Sequence, residues 1–331
     1  MNIVHTYHPK FSGGIGDFLR GSIYLHRICK EKGMTLYIDW SKHPIGQYIS
    51  GSQNIPEYDL KYVLDVEKIT LKSIKNFGSN RPAYKRYRDT THHIIDSMMV
   101  STDTQDVVPI SSFYLDIDYE TNTLQSVKDY IISEDCAIFL QNSIRISEDV
   151  KKASTQVVNN NKNYATIHFR LGDRHSLPNL VESLNDIPES IKTNYNLQQF
   201  NHNYEFMQDI INRFVKNNNY DYVVILSDSN DFKEYVRSHS IDHRILISHL
   251  NSNHSASKPG LLKYTKLYSN DFSSEHAASL AIDLDLLINS KHNVSYSVYS
   301  WGSGLSIWPS KIFNIPATIN EQTLEGLYLN A

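Results

Sequence analysis

The sequence predicts an α/β protein with mostly parallel sheets, organised as two domains. Three observations lead there. Short apolar runs alternate with stretches of helical periodicity, the pattern of strands joined by crossover helices. The chain has 331 residues, enough for two domains of about 150 residues each. Hydrophobic residues make up 40% of it and there are 22 tyrosines, which supplies two cores and excludes a disordered chain.

Taken in chain order, strands are expected at 2–7 (NIVHTY), 34–40 (MTLYIDW) and 136–141 (CAIFLQ). The second half offers 164–170 (YATIHFR), 221–227 (DYVVILS), 243–248 (HRILIS) and 292–299 (HNVSYSVY). Helices are expected at 17–32, 122–132, 146–158, 198–217 and 274–289. In the last of these, Ser273 or Ser274 can cap the helix, and Ala277, Leu280, Ala281, Leu284, Leu287 and Ile288 fall on one face. The Asn-rich stretch 152–163 precedes the strongest strand and reads as the domain boundary. The expected division is therefore 1–155, 160–305 and a C-terminal segment 306–331. Residues 50–115 lack clean periodicity and read as an insertion carrying acceptor-specific loops.

A net charge of -4 gives no electrostatic reason to expect nucleic acid or an anionic membrane as partner. Only Cys29 and Cys136 occur, too few for a disulfide framework, so a reducing cytoplasmic setting is expected. The opening MNIVHTYHPKF has neither a charged n-region nor an apolar h-region, and no apolar run reaches membrane-spanning length. Asn253 and Asn293 begin N-x-S triplets, which carry meaning only in a secreted chain.

Three constellations carry chemistry. GGIGDFLRG (13–21) follows the first strand and opens a helix. Gly13, Gly14 and Gly16 let backbone amides approach a diphosphate at the helix N-terminus, and Arg20 adds charge one turn on. A dinucleotide fingerprint is the rival, with Asp39 placed as a ribose-binding acid, but Leu19 stands where its third glycine belongs. A plain strand-to-helix turn is the bland alternative.

The second constellation is YATIHFRLGDRH (164–175), a strand running into His168, Arg170, Asp173 and Arg174. Alternation sets His168 and Arg170 on one face. An arginine there can grip a pyrophosphate through two parallel hydrogen bonds; a salt bridge to a nearby carboxylate is its ordinary alternative.

The third joins VVILSDSND (223–231) to SVYSWGSG (297–304). Asp228 can accept both donors on the guanine edge, where uracil offers one, and Ser227, Ser229, Ser300 and Ser303 supply hydroxyls. A helix N-cap is the bland role for Asp228.

These residues resemble the GDP-fucose-dependent fucosyltransferases, the α1,2-, α1,6- and protein O-fucosyltransferase group. HFRLGD resembles that group's H-x-R-x-x-D motif and GGIGD its glycine loop. LSDS resembles the motif whose acid binds guanine, and AIDLDLLINSKHNVSYSVYSW its D-L-x-x-L helix and the strand after it. The motifs cover about a quarter of the chain, yet their order spans nearly all of it.

The resemblance implies a GT-B fold of two Rossmann-like domains facing a cleft, an inverting reaction, GDP-fucose as donor substrate, a glycan acceptor, and no metal or other cofactor. It places Arg170 on the β-phosphate, His168 on ribose or guanine, Asp228 on the base, Asp283 in support and Ser300 on phosphate. Leu171 departs from the second arginine of several members, and Asp17 from the usual Asn of the glycine loop.

The catalytic base is expected among Asp17, Asp173, His175 and Glu182. The alternatives are another GDP-sugar, a metal-dependent transferase using the DxD triplet Asp116–Asp118, an NAD-type oxidoreductase, and a non-catalytic sugar- or nucleotide-binding module. Asp283 and Asp285 also spell DxD, but residues i and i+2 of a helix diverge. His92-His93 lacks partners at zinc spacing.

Overall fold

The computed structural model describes residues 1–7, 14–43, 45–66, 107–113, 124–171, 204–248, 274–298 and 302–320, with 69, 93, 94, 96, 97, 322 and 327 beside them. Two compact units emerge: Met1–Ser147 with Lys311–Phe313, and Glu148–Ser310 with Asn314–Ala331. Each is built on a parallel sheet, so the expected α/β class with mostly parallel sheets is what the chain adopts.

In the N-terminal unit, β1 (Asn2–Thr6) leads to α1 (Ile15–Glu31) and β2 (Thr35–Asp39). The sheet is completed by β4 (Leu64–Asp65) and β5 (Val107–Ser111) in the order β2-β1-β5-β4, all parallel. A short antiparallel pair, β3 (Ile49–Ser50) with β6 (Arg145–Ile146), stands apart from it. The helices α2 (Leu124–Asp129) and α3 (Glu134–Asn142) follow in the chain.

Two findings here differ from the sequence reading. The strand expected at 136–141 is the helix α3: Ser133 stands at its N-cap, Glu134 and Asp135 fill its first turn, and Cys136 and Leu140 bury one face at i, i+4. A short apolar run suits either element, and the acidic first turn decides. Second, β4 and β5 lie within the stretch read as an insertion, yet they are strands of the sheet. Pro109 disguises β5, since proline donates nothing to a ladder. It is accommodated because β4 reaches only Ile110 and Ser111, leaving Pro109 with β1 alone as neighbour.

The C-terminal unit holds α4 (Glu148–Val157), β7 (Tyr164–Arg170), α5 (Tyr204–Asn217), β8 (Tyr222–Ser227), α6 (Asn230–His239) and β9 (Ile245–Ile247). It continues through α7 (Ser274–Asn289), β10 (His292–Ser297), α8 (Gly304–Ile312) and β11 (Ala317–Ile319). The five strands pair in parallel in the order β11-β10-β7-β8-β9.

Alternation divides β7 between two cores. Ile167, Phe169 and Leu171 pack with Met207 and Ile211 of α5 and Phe232 and Val236 of α6. Tyr164 packs with Val224, Leu226 and, from α7, Leu286 and Leu287. On α7 the predicted face is buried at Ala277, Ala281, Leu284 and Leu287, and Asp283, Asp285 and Leu286 are buried as well. Asp285 reaches α4, accepting from the Ser154 hydroxyl in a short hydrogen bond.

Cys29 and Cys136 are buried free thiols, each pushed up to about 12 by desolvation. Asn293 is sealed in β10, its amide donating to Ser310 Oγ at 2.8 Å. No described helix is long and apolar enough to cross a membrane.

Candidate nucleotide-binding site in the C-terminal unit

The chain lays β7, β8 and β9 to one side, then β10 and β11 to the other, so strand order reverses between β7 and β10. In open parallel sheets, ligands bind outside the carboxyl ends at such a reversal. Arg170 ends β7 there, in register with Ser297 of β10, while Phe169 pairs with Ser227 at the end of β8. Backbone and hydroxyl bonds stitch the three strand ends together: Val298 N–H donates to Arg170 O at 3.1 Å, and Ser227 Oγ to Phe169 O at 2.9 Å.

Arg170 and Asp228 form an ion pair at this edge. One carboxylate oxygen of Asp228 receives the Arg170 guanidinium and the other the Leu171 N–H at 2.8 Å. Their side chains keep 16% and 11% exposure, so the pair is largely desolvated but open to an incoming group. The helix cap is Ser229, whose Oγ accepts from Phe232 N–H at 3.1 Å. Asp228 is thereby released from the capping role, and its carboxylate points back to β7. Ser227 Oγ also accepts from Ser229 N–H at 3.1 Å, so both serines serve the turn as well.

His168 lies beneath, 3% exposed. Its Nδ1 is 3.2 Å from Ser306 Oγ, which is 2.8 Å from Ser295 Oγ. Burial pushes its imidazole down to about 4, against the pull of Asp228 and Asp283. It is therefore a neutral hydrogen-bonding group at physiological pH.

Ser306 belongs to the first turn of α8, a helix the sequence reading missed because Pro309 lies inside it. Gly302, at φ +75°, turns the chain into α8 with a backbone that side chains resist. Ser303 followed by the Leu305, Ile307, Trp308 and Ile312 pattern was the available signal. The N-termini of α6 and α8 thus both open at the carboxyl edge that bears Arg170, which favours a bound anion.

A fourth charged residue at this end was also missed. Lys233 of α6 has no exposed surface. Burial lowers its pKa, while Asp283 of α7 and Asp228 act to raise it. Its place on the buried face was legible from Phe232 and Val236, at helical spacing around it.

In the N-terminal unit, Gly14 N–H donates to Asp17 Oδ2 at 3.1 Å, and Asp17 Oδ1 pairs with Arg20 at 3.0 Å. Arg20 also donates to the Phe113 carbonyl at 2.7 Å. Gly16 is buried inside the first turn of α1. Asp39 accepts from Ser41 N–H at 2.8 Å, from Ser41 Oγ at 3.0 Å and from the Tyr58 hydroxyl. Those bonds occupy the carboxylate that a dinucleotide reading assigns to ribose.

Gly13, Asp173, Arg174, His175, Glu182, Ser300, His92, Asn253, Asp116 and Asp118 lie outside the described residues. Asp283 and Asp285 diverge, one bearing on His168 and Lys233, the other bonded to Ser154. Among the described residues, no three potential ligands gather to hold a metal ion.

No protein-family model matches the chain, and no curated protein matches it. Among solved structures it is similar to fucosyltransferase NodZ from Bradyrhizobium, at 12% identity and a TM-score of 0.48 over 98% of this chain and 95% of that one. NodZ alpha-1,6-fucosyltransferase co-crystallized with GDP matches at 11% identity and a TM-score of 0.46, covering 93% and 91%. POFUT1 in complex with GDP matches at 10% identity and a TM-score of 0.42, covering 96% and 98%.

Proposed function

We propose that the chain is a glycosyltransferase that holds a GDP-sugar at the carboxyl edge of the C-terminal sheet and transfers the sugar, fucose first among candidates, to a glycan hydroxyl with inversion. The observation that carries the reading is the strand-order reversal that gathers Arg170, His168 and the N-termini of α6 and α8 at one edge. A guanidinium fork flanked by helix N-termini suits a diphosphate.

In this proposal Arg170 grips the β-phosphate, Asp228 reads the guanine edge, and neutral His168, supported by Asp283, bonds ribose or base without adding charge. Ser229 and Ser300 contribute hydroxyl or backbone contacts. As the anomeric carbon takes on oxocarbenium character, negative charge grows on the departing GDP, and Arg170 meets it there. Within the N-terminal unit, the family resemblance makes Gly13, Gly14, Gly16 and Arg20 further candidates for an anion contact. Asp173, His175 and Glu182, which follow β7 in the chain, stand before Asp17 as the base, because Asp17 is already engaged by Gly14 and Arg20.

A thermal-shift panel of GDP-fucose, GDP-mannose, UDP-sugars and dTDP-sugars tests the donor. A ligand at a hundred times its Kd adds about 2.7 kcal/mol to the native state, so GDP-sugars should raise Tm and the others should not. A shift with UDP-sugars equal to that with GDP-sugars overturns the guanine assignment. Turnover should also survive EDTA, since Arg170 and backbone amides carry the leaving-group charge. Activity that disappears in EDTA and returns with manganese would move the chemistry to Asp116 and Asp118.

A further inference from the structure

Lys233 presents a problem that the donor site itself resolves. A lysine is almost never sealed from water without compensating charge, yet this one has no exposed surface, while Glu234 of the same helix is half-buried and Arg237 exposed. The carboxylates acting on it come from two other places: Asp283 on α7, the stronger influence, and Asp228 just after β8. Asp228 in turn holds Arg170, and both carboxylates act on the buried His168. Among the described residues, the cluster therefore sets Arg170 and Lys233 against Asp228 and Asp283 around a neutral imidazole.

That balance matters for binding. If Arg170 turns to a diphosphate, it gives up part of its contact with Asp228. A desolvated carboxylate that loses a counter-charge tends to take up a proton, and a protonated Asp228 no longer accepts two hydrogen bonds from guanine. A second cation whose charge already acts on Asp228 would oppose this.

We propose that Lys233 is a positioning residue that keeps the Asp228 carboxylate charged and in place while Arg170 transfers its grip to the donor's diphosphate. This rests on the GDP-sugar reading above. It gives α6 a function beyond packing: the helix that caps itself on Ser229 also carries the counter-ion for the residue just before the cap.

The test is calorimetric titration of GDP into the native protein, Lys233→Met and the double variant Lys233→Met/Asp283→Asn between pH 8 and pH 5.5, with circular dichroism to establish folding. The double variant keeps the buried charges balanced, so it carries the measurement if the single variant does not fold. Native affinity should change little over this range. Both variants should lose GDP affinity by at least tenfold more than the native protein as pH falls. A folded double variant with the native pH profile would reduce Lys233 to a partner of Asp283 and overturn the proposal alone. A native protein that does not bind GDP would overturn the donor reading, and this inference with it.

Discussion

Arg170 and Asp228 hold each other at a strand end that is largely closed to water, which gives each substitution two consequences. Arg170 should matter most where charge develops on the leaving phosphate, and interactions that strengthen in the transition state appear in kcat. Losing one preorganised donor of this kind costs about 2.7–4 kcal/mol, so Arg170→Ala should lower kcat about a hundredfold or more. Arg170→Lys should restore only part, because a point charge cannot span two oxygens. Steady-state kinetics on folded variants decides it, and a near-native kcat in Arg170→Ala removes the residue from the mechanism. Asp228→Ala should weaken GDP binding by about 1–3 kcal/mol through unpaired guanine donors. It should also cost stability, about 3 kcal/mol, because the desolvated Arg170 loses its partner. Calorimetry and urea unfolding separate the two effects; an unchanged unfolding midpoint would mean that the pair contributes nothing to the fold.

Helix α1 is tied to the sheet by close approach. A Cβ built on Gly21 would lie 1.9 Å from the Ser112 carbonyl oxygen, a backbone atom that cannot rotate away. Alanine gains about 1 kcal/mol over glycine in a helix interior, but forcing backbone apart in a packed layer costs about 1–3 kcal/mol, and a larger side chain costs more. Gly21→Val should therefore lower Tm by several degrees while far-UV circular dichroism stays native. A Tm equal to that of the parent would show that the contact is looser than the structure has it. The same contact explains why a glycine stands in mid-helix here, which neither the diphosphate-loop reading nor helix propensity accounts for. Helix α8 shows the opposite case. Its propensity is compromised by Pro309, and it persists because Ile307, Trp308 and Ile312 are buried and Ser306 is bonded into the His168 site.

Among the described residues, burial holds His5, His43 and His168 neutral, pushing the first two down to about 3 and His168 down to about 4. His5 donates from Nε2 to the Ser112 carbonyl at 2.9 Å and meets Ser22 Oγ at 2.8 Å, stacked on Phe18. Their folded pKa values lie below the unfolded value of 6.5, so the unfolded chain binds more protons at acid pH. Stability is thus full above about pH 6.5 and falls as pH drops toward 4, by about 1.4 kcal/mol per pH unit for each fully coupled histidine. Urea unfolding from pH 7 to pH 5 should show this loss, and His5→Gln should reduce the slope by about one proton. A flat stability profile over that range would show that these imidazoles titrate freely in the native state.

The sequence by itself determined the α/β class and most of the strands, because the period-2 and apolar-run signals of β1, β2, β7, β8 and β10 are local and unambiguous. It also determined that Arg170, His168 and Asp228 stand at strand ends, since position after a buried run needs no tertiary knowledge. Local signals failed where a neighbour decides the outcome. CAIFLQ became a helix on the strength of its acidic first turn, VVPIS became a sheet strand because β4 stops short of Pro109, and α8 formed around an internal proline. Only the tertiary structure decided the electrostatics of the candidate site. The pairing of Arg170 with Asp228 joins residues 58 positions apart, and the carboxylates whose charge acts on Lys233 come from α7 and from the residue after β8. A one-dimensional pattern tells which side chains are buried, while the strand order and helix packing determine which charges they are buried beside.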